Sequence, residues 1–380
     1  MSVLVNKVVI FSNVRMGYID ELADNIRGSN LEVNVVYILT EYRYRLLRKN
    51  LLGLLYLRFL TYVLYPLIVA FKAIFISKNS LLIATSNTFF LPTVLYLPSL
   101  LTRSTLVSYI YDLHPEAILA TEKSGRLYKI FYKYGRLLQE HQSNKVARLV
   151  FIHDKLAEQF YNIYPSVTTP YSIANVGFSP YKGNLSIHKF KEPGKIHLHY
   201  GGQLGLMHSP FLFGEIIQYL SKSPALTEKI EINIAISKVA HKYFYTDNYH
   251  LLHEPLSSIN WQQYVIEKVH VGIVILNEIG STVFFPSKLY GYVNFGLPIL
   301  AICPKNSALW DEVESNNLGW VVDITDLDNL NSGIHNIIER ISPHCLIEKH
   351  QCAIRYKSFV LNSQQKITNW NQIIHDSISR

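Results

Sequence analysis

The sequence predicts an α/β protein built from two Rossmann-like domains, and three observations lead there. Short apolar runs alternate with helical patterns along the whole chain, as they do where parallel strands are joined by crossover helices. At 380 residues the chain exceeds the ~250–300 residues beyond which single cores stop growing. The polar stretch 179–195, with Pro180, Gly183, Pro193 and Gly194, separates two such alternations and reads as a linker. A composition 49% hydrophobic with only 18 Gly and 15 Pro excludes wholesale disorder and low complexity.

The elements follow in order. Residues 7–12 (KVVIFS) form an apolar strand, then a loop with Gly17 and a helix through Ile19, Leu22 and Ile26. Further strands are predicted at 31–39, 81–85, 105–111, 149–153 and 172–175. Between them, 86–88 is a turn before a short apolar helix. Past the linker, the strand 196–200 runs into Gly201-Gly202-Gln203-Leu204-Gly205. Strands at 230–236, 271–276, 298–302 and 319–322 complete the second half, and 370–378 reads as an amphipathic helix. The predicted division is 1–179, 180–360 and a C-terminal helical segment, 361–380, packing back toward the first domain. Ligands in such folds bind beyond the carboxyl ends of the strands, so candidate residues should lie just after strands.

Charge is divided unequally. Of 36 Lys/Arg and 28 Asp/Glu, residues 1–179 carry 19 and 11, leaving 17 of each for 180–380. The whole net charge of +8 therefore sits in the first half, which suits an anionic surface. Arg43, Arg45, Arg48, Lys49 and Arg58 are interleaved with leucines, and Lys123, Arg126, Lys129, Lys133 and Arg136 with Leu, Ile, Phe and Tyr. Cations among bulky apolar residues fit an in-plane membrane helix better than a nucleic-acid groove. Ordinary amphipathic helices with basic outer faces share the pattern. Residues 59–71 are uncharged but too short to span a bilayer, and Pro66 is expected to interrupt them. With no signal-like N-terminus, the expectation is a cytoplasmic protein peripheral on the inner face of the plasma membrane, with no nucleic-acid partner. Cys303, Cys345 and Cys352 are odd in number and unpaired in spacing, which excludes a disulfide framework and a four-thiolate zinc site.

The richest segment is Pro286-Ser287-Lys288-Leu289-Tyr290-Gly291-Tyr292-Val293-Asn294-Phe295-Gly296-Leu297-Pro298. Pro286 and Ser287 open a helix, Gly296 ends it in the left-handed position, and Pro298 begins a buried strand. First-turn N–H groups beside a lysine suit a phosphate; a well-capped helix with a surface lysine has the same local pattern. Asp326-Leu327-Asp328 has the D-x-D form of metal-dependent transferases, but its place before a helix favours capping. His197 and His199 share a strand face, yet no Cys or Asp converges on them, so no metal is expected.

The string FFPSKLYGYVNFGLPILAI resembles the hallmark segment of GT-B glycosyltransferases of family 4. It is most similar to bacterial surface-polysaccharide (O-antigen and capsule) transferases with a P-S-K-L-x-E-Y-x-A-x-G-x-P motif. Asp112-Leu113-His114-Pro115-Glu116 resembles their D-L-W-P-E. Asn175 matches the asparagine closing their first domain, and Tyr200-Gly201-Gly202-Gln203-Leu204-Gly205 resembles their Y-S-G-N-L-G loop. The resemblance implies a GT-B fold, with two Rossmann-like domains and a central cleft. It implies transfer of a sugar from a nucleotide-diphosphate donor, by default a UDP-sugar and with retention. The acceptor it implies is a glycan or a polyprenyl-diphosphate-linked glycan. It places Ser287, Lys288, Leu289, Gly202, Gln203 and Gly205 at the donor diphosphate, with Gly17 covering the other side; Lys238, by its place after the second strand of that domain, is a candidate to supplement them. Cation and dipoles would stabilise the departing diphosphate with no metal or other cofactor. Asp112 is the first acid/base candidate, positioning the sugar or taking the acceptor proton, and Glu116 the second; both also suit helix capping.

The chain departs from that pattern at defined places. Gly291 stands where the family has a ribose-binding glutamate, and Val283 stands at that residue's partner position. Gln203 replaces the usual Arg of the loop, His208 stands near the usual Lys, and Tyr111 replaces the histidine before the aspartate. Glu278 and Glu314 are the candidates to replace the ribose contact. Two alternatives stay open: an inverting transferase with a different donor, and an inactive GT-B scaffold that binds glycan or a partner.

Overall fold

The computed structural model describes residues 6–47, 51–119, 126–175, 180–183, 185, 187–191, 194–244, 252–253, 258–360 and 362–379. Its contacts divide the chain into two units. One comprises Met1–Ser179, Val283–Phe285 and Asn362–Arg380, the other Pro180–Thr282 and Pro286–Leu361.

In the first unit the strands are β1 (Lys7–Phe11), β2 (Val14–Arg15), β3 (Glu32–Val36), β4 (Leu39–Thr40), β5 (Leu81–Thr85), β6 (Thr105–Ile110), β7 (Arg148–Phe151) and β8 (Tyr171–Ile173). Six form a parallel sheet in the order β3-β1-β5-β6-β7-β8. Runs such as LLIAT are buried at every position, as strands covered by helices on both faces must be. The expected strand 31–39 is split, because β3 ends at Val36 and β4 pairs instead with β2.

The helices of this unit are α1 (Gly17–Arg27), α2 (Glu41–Leu47), α3 (Leu51–Phe59), α4 (Tyr65–Ile76), α5 (Leu91–Thr102), α6 (Glu116–Leu119), α7 (Arg126–Ser143) and α8 (Asp154–Ile163). The chain moves outward from β1 to β3, then returns past β1 to β5 and onward to β8. Right-handed crossovers therefore put α1 on one face and α4, α5 and α7 on the other. The helix Ser363–Ile378 joins α1, with Trp370 edge-on to Tyr109 at 5.3 Å and Lys366 paired to the buried Glu21.

Pro66 does not interrupt its segment, contrary to the expectation from sequence. Leu51–Ile76 is continuous helix, with a π-helical turn at Leu60–Leu64 directly before α4. Proline lacks an N–H and crowds the carbonyl four residues back, and the wider π turn relieves both.

The second unit holds β9 (Ile196–Gly201), β10 (Ile230–Ala235), β11 (Leu252–His253), β12 (Val271–Ile275), β13 (Ile299–Cys303) and β14 (Gly319–Asp323). They form a parallel sheet in the order β11-β10-β9-β12-β13-β14. β9 lies inside this sheet, so its carboxyl end delivers the glycine loop at the edge where ligands of doubly wound sheets bind.

Candidate functional site

In the second unit, three hydrogen bonds hold the start of the glycine loop. The Gly202 N–H donates to the Ala235 carbonyl at 2.8 Å. The Gly201 N–H donates to the Tyr292 hydroxyl at 2.9 Å, and that hydroxyl donates to the His199 carbonyl at 3.1 Å. Gly202 has φ +106°, a conformation glycine adopts without steric cost. Below the loop, Asn277 Nδ2 donates to the Leu206 carbonyl at 2.9 Å and fixes the turn Leu206–His208.

Lys288 lies against this loop. Its Nζ donates to the Gln203 carbonyl at 3.1 Å, stands 3.3 Å from His208 Nε2, and sits 5.1 Å from the Tyr200 ring centroid. No carboxylate pairs with it among the described residues, and a half-buried ammonium without a counter-ion is unfavourable. Burial pushes its pKa down to about 8. The Gly205 N–H lies 3.2 Å from His208 Nδ1 and Lys288 Nζ lies 3.3 Å from Nε2; a neutral imidazole accepts at one ring nitrogen, so it serves one of these donors at a time. Burial, reinforced by that cation, pushes His208 down to about 3. Among the described residues this cation thus has no anionic neighbour, which suits an anionic ligand that would complete its coordination.

The other donor-side candidates are placed unevenly. Ser287 is exposed at the start of the seven-residue helix Ser287–Val293. Leu289 is closed to a ligand: its side chain is fully buried and its N–H bonds to the Pro286 carbonyl. The Lys238 side chain lies outside the described residues. At Gly291 a Cβ would meet nothing within 4 Å. Glu314 accepts from Trp310 Nε1 at 3.0 Å. The histidines of β9 are tied into the fold, His199 between Asn233 Oδ1 (2.7 Å) and Trp261 Nε1 (3.2 Å), His197 3.5 Å from Glu231. Among the described residues no His, Cys, Asp and Glu side chains gather as a metal site. Asp326 caps the helix Leu327–Arg340.

In the first unit, Asp112 follows β6 at the carboxyl edge of its sheet and bridges to Phe284 of the same unit. Burial pushes its carboxyl up to about 6 and the neighbouring His114 ring down to about 4. A pocket lined by Asp112, Ser86, Ser108, His114, Gln139 and Phe160 has room for about one water molecule. Glu116 points elsewhere: it accepts from the Tyr164 hydroxyl at 2.7 Å and lies 3.8 Å from Arg136 Nε. That is an anchor between helices, so Glu116 is committed within the fold. Tyr111 packs edge-on to Tyr18 at 5.0 Å, its buried hydroxyl without a hydrogen-bond partner among the described residues. Asn87 links Tyr18 to Ser12, donating to Ser12 Oγ at 3.0 Å. Gly17 is the first residue of α1, exposed and open, and a Cβ there would meet nothing within 4 Å.

Sequence reasoning missed Tyr200, Tyr292 and Asn277. Each acts on a main-chain atom, Tyr200 by donating its hydroxyl to the Gln203 carbonyl at 3.0 Å, and only the folded loop defines where those atoms lie.

No protein-family model matches this sequence, and no curated protein does. Solved structures resemble it along nearly its whole length. Anabaena HepE in complex with UDP and glucose has a TM-score of 0.66 at 14% identity, covering 97% of this chain and 99% of that one. The α,α-trehalose 6-phosphate synthase of Burkholderia multivorans has a TM-score of 0.62 at 10% identity, covering 99% and 97%. For the N-terminal domain of Candida albicans trehalose-6-phosphate phosphatase the values are 0.64, 10%, 98% and 97%. Likeness at these identities shows the fold, and the fold is GT-B.

Proposed function

We propose that the chain is a glycosyltransferase that takes a sugar from a UDP-sugar and passes it to a glycan or polyprenyl-diphosphate-linked acceptor during bacterial surface-polysaccharide assembly, such as O-antigen or capsule. The observation that carries this reading is Lys288, a cation without a carboxylate partner among the described residues, set against a glycine loop at the carboxyl edge of a parallel sheet. HepE, which shares the fold, has been solved with UDP-glucose and with UDP and glucose.

In this reading Lys288 binds the diphosphate beside the glycine loop, whose Gly202 and Gly205 N–H groups donate within the protein and so do not serve it as expected from sequence. The lysine stabilises the charge that grows as the sugar departs, with no metal needed. Asp112 positions the sugar or accepts the acceptor proton, its raised pKa suiting either duty near neutral pH. Retention of configuration is the default. The open space at Gly291 supports a second reading, an inverting enzyme whose donor carries another nucleotide. The exposed Arg43, Arg45, Arg58, Lys129 and Lys133 favour a peripheral position on the anionic cytoplasmic face of the membrane; Arg48, Lys49 and Lys123 of the same clusters lie outside the described residues.

Titration with UDP, GDP, ADP and CMP tests the donor assignment. UDP is expected to bind most tightly; a preference for another nucleotide would favour the second reading, and binding of none would overturn both.

A further inference from the structure

The helical layer formed by α4, α5 and α7 has an outer surface that a water-facing layer would not carry. On α4, Leu67 and Phe71 are both 64% exposed; on α5, Leu97 and Leu101 are 62% and 64% exposed; on α7, Phe131 and Tyr134 are 69% and 64% exposed. These positions recur at helical spacing, so each helix presents an apolar stripe outward. α5 packs against α4 and α7, which places the three stripes side by side. Three adjacent stripes are more than the scattered single apolar residues of an ordinary exterior.

The opposite side of the same helices is firmly held by the unit. Tyr65, Val69 and Ala73 of α4 are fully buried, and the Tyr65 hydroxyl donates to the Val36 carbonyl of β3 at 3.2 Å. Leu51–Ile76 is long and apolar enough to cross a membrane by length and composition. A segment bonded at its middle to the edge of a soluble-type sheet is, however, placed to lie in a surface rather than across one.

Charge identifies what covers the stripes. From Tyr42 to Tyr111 the chain carries eight Lys or Arg and no Asp or Glu. Arg58, Lys72, Lys78, Arg103, Lys129 and Lys133 are exposed around the apolar surface. A second copy of this face would bring like charges together, whereas phosphate headgroups beside acyl chains match both features.

We propose that the α4–α5–α7 face is a monotopic insertion surface, with its leucines and aromatics seated in the acyl region of an anionic bilayer and its cations at the headgroups. This goes beyond surface attraction by basic clusters, because burial of apolar side chains supplies the larger part of the affinity. Binding should then survive salt that screens exposed charges.

The test is flotation of the full chain with vesicles of phosphatidylglycerol and phosphatidylethanolamine. Wild type should bind in low salt and retain most of its binding at about 0.5 M salt. Leu97→Ser with Leu101→Ser and Phe131→Ser should lower partitioning at least about tenfold. Unchanged UDP affinity and circular dichroism would show that the variant is folded, and would separate this test from the proposed function. Binding lost in salt but indifferent to the apolar substitutions would overturn the proposal. So would resistance to alkaline extraction, which marks a spanning segment, or a lipid-free dimer that the substitutions dissolve.

Discussion

Replacing Lys288 with methionine keeps the length of the aliphatic stem and removes its charge and donors. A charge-assisted hydrogen bond to a phosphate oxygen contributes ~1.5–3 kcal/mol, and a loss near ~2 kcal/mol weakens UDP binding about thirtyfold. The structure adds a second signature. With its pKa pushed down to about 8, the amine is half neutral near that pH, and a bound diphosphate should restore the missing proton. Wild type should therefore take up about half a proton per UDP near pH 8, and little net near pH 7, where proton loss from the phosphate offsets the lysine's uptake. The phosphate itself ionises near ~6 and adds little at the higher pH. Calorimetric titration in buffers of different ionisation enthalpy reads this number directly. Lys288→Met should lose both the affinity and the buffer dependence. UDP affinity unchanged in Lys288→Met would refute the phosphate role. Weakened binding without proton uptake by wild type would refute the picture of a lysine facing the neutral His208 ring.

Three further outcomes follow from named contacts. Asp112→Asn should lower turnover ~10²–10⁴-fold while leaving UDP affinity near that of wild type; the acid limb of the wild-type rate profile should fall near pH 6, where Asp112 protonates, and be absent from the variant. Tyr292→Phe removes the acceptor of the Gly201 N–H and the donor to the His199 carbonyl, and should cost ~1–3 kcal/mol of stability in urea unfolding with weaker UDP binding. Gly291→Ala places a methyl group in open space inside a helix, and should stabilise its unit by ~0.5–1 kcal/mol, read as a higher urea midpoint.

The strands were legible because a strand covered on both faces has one requirement, continuous apolar burial. Residues 81–85 show it, and the structure has β5 at Leu81–Thr85. Pro66 misled because the local rule assumes an α-helical carbonyl four residues back, and a π turn stands there. α5 read as a short apolar helix among buried elements, but apolar character alone does not say which side of a helix faces outward. That depends on the crossover connections and on neighbours distant in sequence. At the site, the motif indicated Lys288 and the glycine loop, whereas the neutral His208 and the Tyr200 and Tyr292 contacts required main-chain geometry. Asp112 and Glu116 illustrate the same limit: four residues apart in one motif, they differ in surroundings because Tyr164, just past α8, and Arg136 of α7 hold Glu116.

Whether the chain is a UDP-sugar transferase is decided by UDP release from a panel of UDP-sugars, with detergent-solubilised polyprenyl-diphosphate-linked glycan as acceptor and a chelator present. Acceptor-dependent UDP release is expected from at least one sugar, insensitive to the chelator and strongly reduced in Lys288→Met and Asp112→Asn. Absence of transfer from every UDP-sugar by folded protein, or turnover indifferent to both substitutions, would contradict it.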